Sequence, residues 1–102
     1  MLPIALTKDT FKKEINESSV PVLIDFYAPW CTPCAAMTPI IKEVANDAKG
    51  FKVATVNIDE EPTIAEKFGV MSIPTLMVIK NGEEAGREVG VKSKADILKM
   101  LS

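Results

Sequence analysis

Apolar residues fall in short blocks along the chain, and the spacing within each block changes from one to the next. Phe11 and Ile15 stand four apart, the interval of one helix face, behind Thr7 or Asp9, either of which can cap a helix. Ser18-Ser19 closes that segment. The run Val22-Leu23-Ile24-Asp25-Phe26-Tyr27 follows, β-rich and apolar on both faces. Such a run predicts a central strand covered on both sides. Asp25 is the exception in it.

From near Thr32 the period becomes helical. Met37, Ile40, Ile41, Val44, Ala45 and Ala48 keep to the i, i+3, i+4, i+7 pattern, with Gly50 as the predicted stop. Pro39 lies inside this helix and lacks an N–H, which predicts a kink. Phe51 to Ile58 predicts the next strand, and Asp59 to Pro62 opens a short helix carrying Ile64, Ala65 and Phe68, closed by Gly69. Thr75 to Lys80 predicts another strand. Asn81-Gly82 is a strong hairpin signal and returns the chain along Ala85 to Val91. Ser93 caps a last helix with Ile97, Leu98 and Leu101 facing inward. The order is β-α-β-α-β-α-β-β-α, with the first strand weak. Alternating elements predict parallel pairing, and the hairpin adds an antiparallel edge. The expected fold is α/β, a central mixed sheet with helices on both faces. No G-x-G-x-x-G or Walker lysine loop supports a nucleotide-binding alternative.

Length and composition narrow the picture. The 102 residues are expected to form one domain, residues 1–102, and 47% hydrophobic with 25% charged residues excludes a disordered chain. Twelve basic against 14 acidic residues leave a net charge of −2, so nucleic acid is not an expected partner. The chain has no histidine, which excludes histidine nucleophile–base chemistry and histidine-containing zinc sites. No run approaches the roughly 18 apolar residues of a membrane span, so no membrane association is expected. Met1-Leu2-Pro3-Ile4-Ala5-Leu6 carries no basic leader, and the expected location is cytoplasmic.

Both cysteines lie in Trp30-Cys31-Thr32-Pro33-Cys34, after a predicted strand and at the mouth of a predicted helix. The first turn of a helix can bring such a pair within bridging distance. Unpaired N–H groups and a partial positive charge at that terminus favour a thiolate over a thiol. Cys31, at the exposed start, is then the attacking thiolate, and Cys34, one turn inward, the resolving thiol. Pro33 fits the first turn, and Trp30 offers an amphipathic surface to a partner. Two structural cysteines, a zinc half-site or a metal shared between protomers are the competing readings. No disulfide scaffold surrounds the pair, and no second ligand pair completes a zinc site.

The stretch Phe26-Tyr27-Ala28-Pro29-Trp30-Cys31-Thr32-Pro33-Cys34 resembles the active site of thioredoxins. Asp25, Pro39, Val56-Asn57-Ile58-Asp59, Ile73-Pro74-Thr75, Asn81-Gly82 and Val89-Gly90 also fall where thioredoxins have similar residues, so the resemblance spans essentially the whole chain. It implies a thioredoxin fold and a protein disulfide reductase cycling a Cys31–Cys34 disulfide, an electron-transport role in cell redox homeostasis. It implies no bound cofactor, disulfide-containing protein substrates, an NADPH-dependent thioredoxin reductase as recharging partner, and a monomer. Asp25 would relay a proton to or from Cys34 through water. An X-Pro bond is ordinarily trans, but the resemblance implies a cis Ile73–Pro74 bond beside the thiols. It also implies an apolar docking rim of Trp30, Pro33, Ile58, Ile73, Pro74, Val89, Gly90 and Val91, with the Ile73 backbone pairing with extended substrate. For Ile58 and Val91, core packing is an equal alternative, and for Gly90 an ordinary turn.

The sequence also departs from the family. Thr32 replaces the common glycine between the cysteines, Thr55 stands where many thioredoxins carry a lysine near the aspartate, Ala35 replaces a common lysine, and Ser72 a common glycine. A Thr32 hydroxyl bonded toward the Cys31 thiolate would make the couple more oxidising. A disulfide oxidase or isomerase, and a non-catalytic binding subunit, are the alternative functions. Of the five methionines, four read as core filler and Met71 as a neighbour of the Pro74 loop.

Overall fold

A computed structural model describes residues 2–102; Met1, the first residue of the amino-terminal run, lies outside them. Five strands are described: β1 (Ile4–Ala5), β2 (Val22–Tyr27), β3 (Lys52–Asn57), β4 (Thr75–Lys80) and β5 (Glu83–Val89). The α-helices are α1 (Thr32–Asn46), α2 (Pro62–Lys67) and α3 (Lys94–Leu101). The strands form one sheet in the order β1-β3-β2-β4-β5. The element order read from the sequence holds, and β1 is the weak strand, only two residues long.

The sheet is mixed, but its antiparallel part is larger than expected. β1, β3 and β2 are parallel, whereas β4 runs antiparallel to β2 as well as to β5. The cause is the length of α2. Six helical residues advance about 9 Å, and a six-residue strand spans about 20 Å. α2 therefore cannot return the chain to the starting end of the sheet. β4 begins where β3 stopped, with Thr75 paired to Phe26.

Because β2 lies inside the sheet, its alternate side chains enter two cores. Val22, Ile24 and Phe26 join Phe11, Ile15, Val56, Ile64 and Met77 on one face. Leu23 joins Met37, Ile41, Val44, Leu76, Val78 and Ile97 on the other, beneath α1 and α3. Phe11 is held by Phe68 at a ring separation of 5.6 Å.

Local chemistry explains most element ends. Ser93 Oγ accepts the Asp96 N–H and caps α3. Asn81 and Gly82 both have positive φ, +53° and +78°, as a two-residue hairpin matched to strand twist requires. At the end of α2, Gly69 N–H donates to Glu66 O and Val70 N–H to Ala65 O, the paired bonds of a left-handed carboxyl cap. Arg87, the only arginine, adds a clamp there: it donates to Phe68 O at 2.5 Å and Gly69 O at 3.4 Å, while Glu84 holds it through two bonds of 2.8 Å.

Several expected boundaries move. The first helical segment is a π-helical turn, Lys12–Asn16, in which Glu17 N–H reaches Lys12 O, and Thr7 Oγ1 accepts the Thr10 N–H ahead of it. α1 ends at Asn46, four residues before Gly50, so Ala48 lies outside it; it continues through Pro39. β5 runs Glu83–Val89, not Ala85 to Val91, because pairing with β4 ends at Thr75–Val89 and Gly90 turns the chain. In α3 the inward residues are Ile97, Met100 and Leu101, whereas Leu98 is 41% exposed. A position one residue after Ile97 is rotated about 100° off the buried stripe, while three and four residues on return to it.

Candidate active site

β2 delivers the chain to the site. After Tyr27 the backbone turns, Cys31 N–H donates to Ala28 O at 3.2 Å, and α1 begins. Cys31 is the residue that caps the helix, with extended backbone (φ −89°, ψ 112°). Its sulfur does what a serine or aspartate oxygen does elsewhere: it accepts the Cys34 N–H, at 3.2 Å. Cys31 and Cys34 are joined as a disulfide with their Cα atoms 5.2 Å apart. The geometry thus aims a free helix N–H at the sulfur that must bear negative charge when the bond opens.

Both sulfurs are sheltered. Cys31 is 7% exposed and Cys34 2%, so Cys31 is the more accessible of the two but less open than a helix-start position suggests. Ala28, Ile58, Ile73 and Tyr27 pack around them. Ile73 O lies 3.9 Å from Cys31 Sγ, an acceptor in place for the S–H of the dithiol form. The Ile73–Pro74 bond is cis, as the family resemblance implies, and Pro74 is buried. Gly90 N–H donates to Pro74 O at 2.8 Å, bringing the end of β5 to the same place.

Trp30 projects outward, 69% exposed, and its indole N–H donates to Asp59 Oδ2 at 2.9 Å. Asp59 is itself held by a bond from its N–H to Asn57 Oδ1. This positioning role was not read from the sequence, although Asp59 was among the family-like residues. The signal lies in pairing: Tyr27 stands opposite Asn57, so the loops leaving β2 and β3 must meet. Thr32 and Pro33 are exposed on the first turn of α1. Val89 and Val91 are exposed and Ile58 and Ile73 half-buried, so the last two share their surface with the core. Gly90 has φ +99°, and a Cβ there would meet nothing within 4 Å. That positive φ by itself favours glycine here, and the open space beside it leaves room for a partner backbone.

Asp25 lies in β2 between Thr55 of β3 and Leu76 of β4, and it is 4% exposed. Its Oδ1 has no hydrogen-bond partner among the described residues. Burial pushes its carboxyl up to about 7. The carboxyl borders a cleft of about 370 Å³ whose walls include Tyr27, Thr38, Ile41, Lys42 and Thr55. Thr38 lies one turn after Cys34 and donates to Cys34 O at 3.3 Å. The cleft therefore joins the aspartate to the helix turn that carries the inner cysteine; Leu2, Pro3 and Ile41 make its lining largely apolar, and Thr38, Lys42 and Thr55 supply the polar groups in it. Among the described residues, no group of three or more His, Cys, Asp and Glu side chains is placed to hold a metal ion, and no helix is long and apolar enough to cross a membrane.

Comparison with known proteins agrees with this geometry. The Thioredoxin family model matches residues 3–102. The chain is 46% identical over 98 residues to a Thioredoxin of Rickettsia felis, covering 95% of this chain and 93% of that protein. It is 45% identical to Thioredoxin 1 of Synechococcus elongatus, covering 95% and 92%. It is also 45% identical to a chloroplastic M-type Thioredoxin of Chlamydomonas reinhardtii, covering 95% and 70%.

Proposed function

The chain belongs to the thioredoxin family and is a protein disulfide reductase, and on that premise we propose how its residues divide the work. The Cys31 thiolate attacks one sulfur of a substrate disulfide. A Cys31–substrate bond forms, the substrate bond breaks, and the departing thiolate takes a proton. Cys34 then loses its proton through water to the Asp25 carboxylate and attacks Cys31 Sγ. The Cys31–Cys34 disulfide forms, the second substrate thiolate leaves and is protonated, and two electrons have passed to the substrate. The observation that carries this reading is the Cys34 N–H held on Cys31 Sγ at the start of α1, which favours Cys31 as the anion. The unpartnered, buried Asp25 oxygen, on a cleft that also reaches Thr38 in the turn after Cys34, supports its place as the proton acceptor.

Disulfide-containing proteins and a thioredoxin reductase are the partners the family implies. We assign substrate docking to Trp30, Ile73, Pro74, Val89, Gly90 and Val91, with Ile58 at its edge and Thr32 and Pro33 supporting the thiols. The exposure of Trp30, Val89 and Val91 around two sheltered sulfurs supports that assignment. The reductase is taken to draw on NADPH, and residues 1–102 to act as one monomeric domain whose cysteine face stays open to partners. A reducing cytoplasm is the compartment in which such an electron-transport dithiol works.

Trapping tests the assignment. C34S is expected to accumulate a mixed disulfide between Cys31 and a protein substrate, and C31S to form none. Accumulation on Cys34 in C31S, or disulfide reduction retained by C31S, would overturn the roles. A potential of the pair above roughly −200 mV would instead mark a disulfide donor.

A further inference from the structure

Methionine exposure is sharply uneven. Met37 and Met77 are fully buried, Met100 is half-buried, and Met71 is 95% exposed. Met71 also stands two residues before Ile73, whose carbonyl lies 3.9 Å from Cys31 Sγ. The segment between them is fixed rather than loose, since Thr75 Oγ1 donates to Ser72 O at 2.5 Å. Trp30 precedes Cys31, and Val89 and Val91 adjoin Gly90, whose N–H meets Pro74 O, so Met71 joins exposed large apolar side chains on the three segments that meet at the cysteine pair. An unbranched thioether in such a place gives apolar contact to many partner shapes. Among the described residues it is also the sulfur, outside the disulfide, that a solvent oxidant meets first.

The geometry points to Met71 as an oxidative modification site that tunes protein-substrate docking. A peroxide transfers one oxygen atom to the Met71 thioether. The S=O bond forms, the peroxide O–O bond breaks, the sulfur is oxidised by two electrons, and the peroxide leaves as water or alcohol. The sulfoxide is polar, so the face loses apolar contact with a protein partner, while small disulfides, which reach Cys31 without using that face, react as before. This inference rests on the docking assignment made above.

The disulfide form of the full chain, in which both cysteine sulfurs are already bonded, is treated with hydrogen peroxide and mapped by peptide mass spectrometry. It is then assayed with insulin and with a small aromatic disulfide. Oxygen is expected on Met71 well before Met37, Met77 or Met100. The insulin kcat/KM is expected to fall about fourfold, as for roughly one methylene's worth of apolar contact, with the small-disulfide rate unchanged. M71L is expected to keep its own untreated insulin rate after the same treatment. Equal oxidation of the buried methionines, an unchanged insulin rate, or an equal loss in M71L would overturn the proposal. V89S separates the two layers. If it slows insulin while Met71 sulfoxide does not, the docking face stands and the switch falls. If neither slows insulin, both fall.

Discussion

Thr55 stands directly opposite Asp25 in the parallel pairing of β3 with β2, and it brings no charge to that position. Asp25 is left to burial alone, which holds its carboxyl at about 7 against 3.8 for an ordinary aspartate. Well below pH 3.8 the group is protonated folded or unfolded and costs nothing. As pH rises through 3.8 the unfolded chain releases its proton while the folded chain keeps it, so folding stability falls until about pH 7 and is then level. The full effect is roughly 4 kcal/mol. D25A should therefore be more stable than the parent chain at pH 8 and near-equal to it at pH 3.5. Urea unfolding of the disulfide forms at both values decides this; equal stability at pH 8 refutes it.

The same pairing predicts what T55K does. A lysine ammonium across from the carboxylate favours the charged form, so the Asp25 midpoint should drop below 7. Carboxyl carbon chemical shifts followed through a pH titration report that midpoint directly. A midpoint that stays put would show that the cleft screens the new charge.

Thr32 stands in the cysteine loop where a glycine is common in the family. If its hydroxyl stabilises the Cys31 thiolate, T32G loses one hydrogen bond in the reduced form and the potential becomes more negative. A bond of about 1 kcal/mol corresponds to about 20 mV in a two-electron couple. Equilibration against glutathione, with Trp30 fluorescence as the readout, measures it. An unchanged or more positive potential removes Thr32 from the account.

Arg87 predicts a loss of stability with no change in chemistry. R87A frees the Phe68 and Gly69 carbonyls at the end of α2 and strands Glu84. The expected cost is about 1–2 kcal/mol, with the potential of the cysteine pair unaltered. R87K should recover only part, because an ammonium cannot reproduce the planar fork. Full recovery by lysine would show that charge, not geometry, matters at this clamp.

Much of this was legible in the sequence, and the failures have physical causes. β2 and β4 begin and end where their apolar runs do, because both strands are buried on two faces, so polar residues, Asp25 apart, fall at their boundaries. The cysteine pair was legible because strand, turn and helix start are all local signals. The β2–β4 direction was not, since it depends on how far α2 travels relative to a strand. Leu98 misled because a short amphipathic helix lets a leucine sit one position off the stripe. Asp59 was missed because its partner Trp30 is 29 residues away, joined only through strand pairing.

Phe26 pairs with Thr75, whereas Val22 pairs with Ile79, so the redox groups crowd one rim of the sheet and the Asn81-Gly82 hairpin occupies the other. Six residues of β4 put about 20 Å between them. That polarity makes the exposed Asn81 tip a handle: a fluorophore, a surface-attachment group or an inserted peptide placed there leaves the electron-carrying rim unobstructed. Immobilised through that tip, the molecule would face its clients in a single orientation.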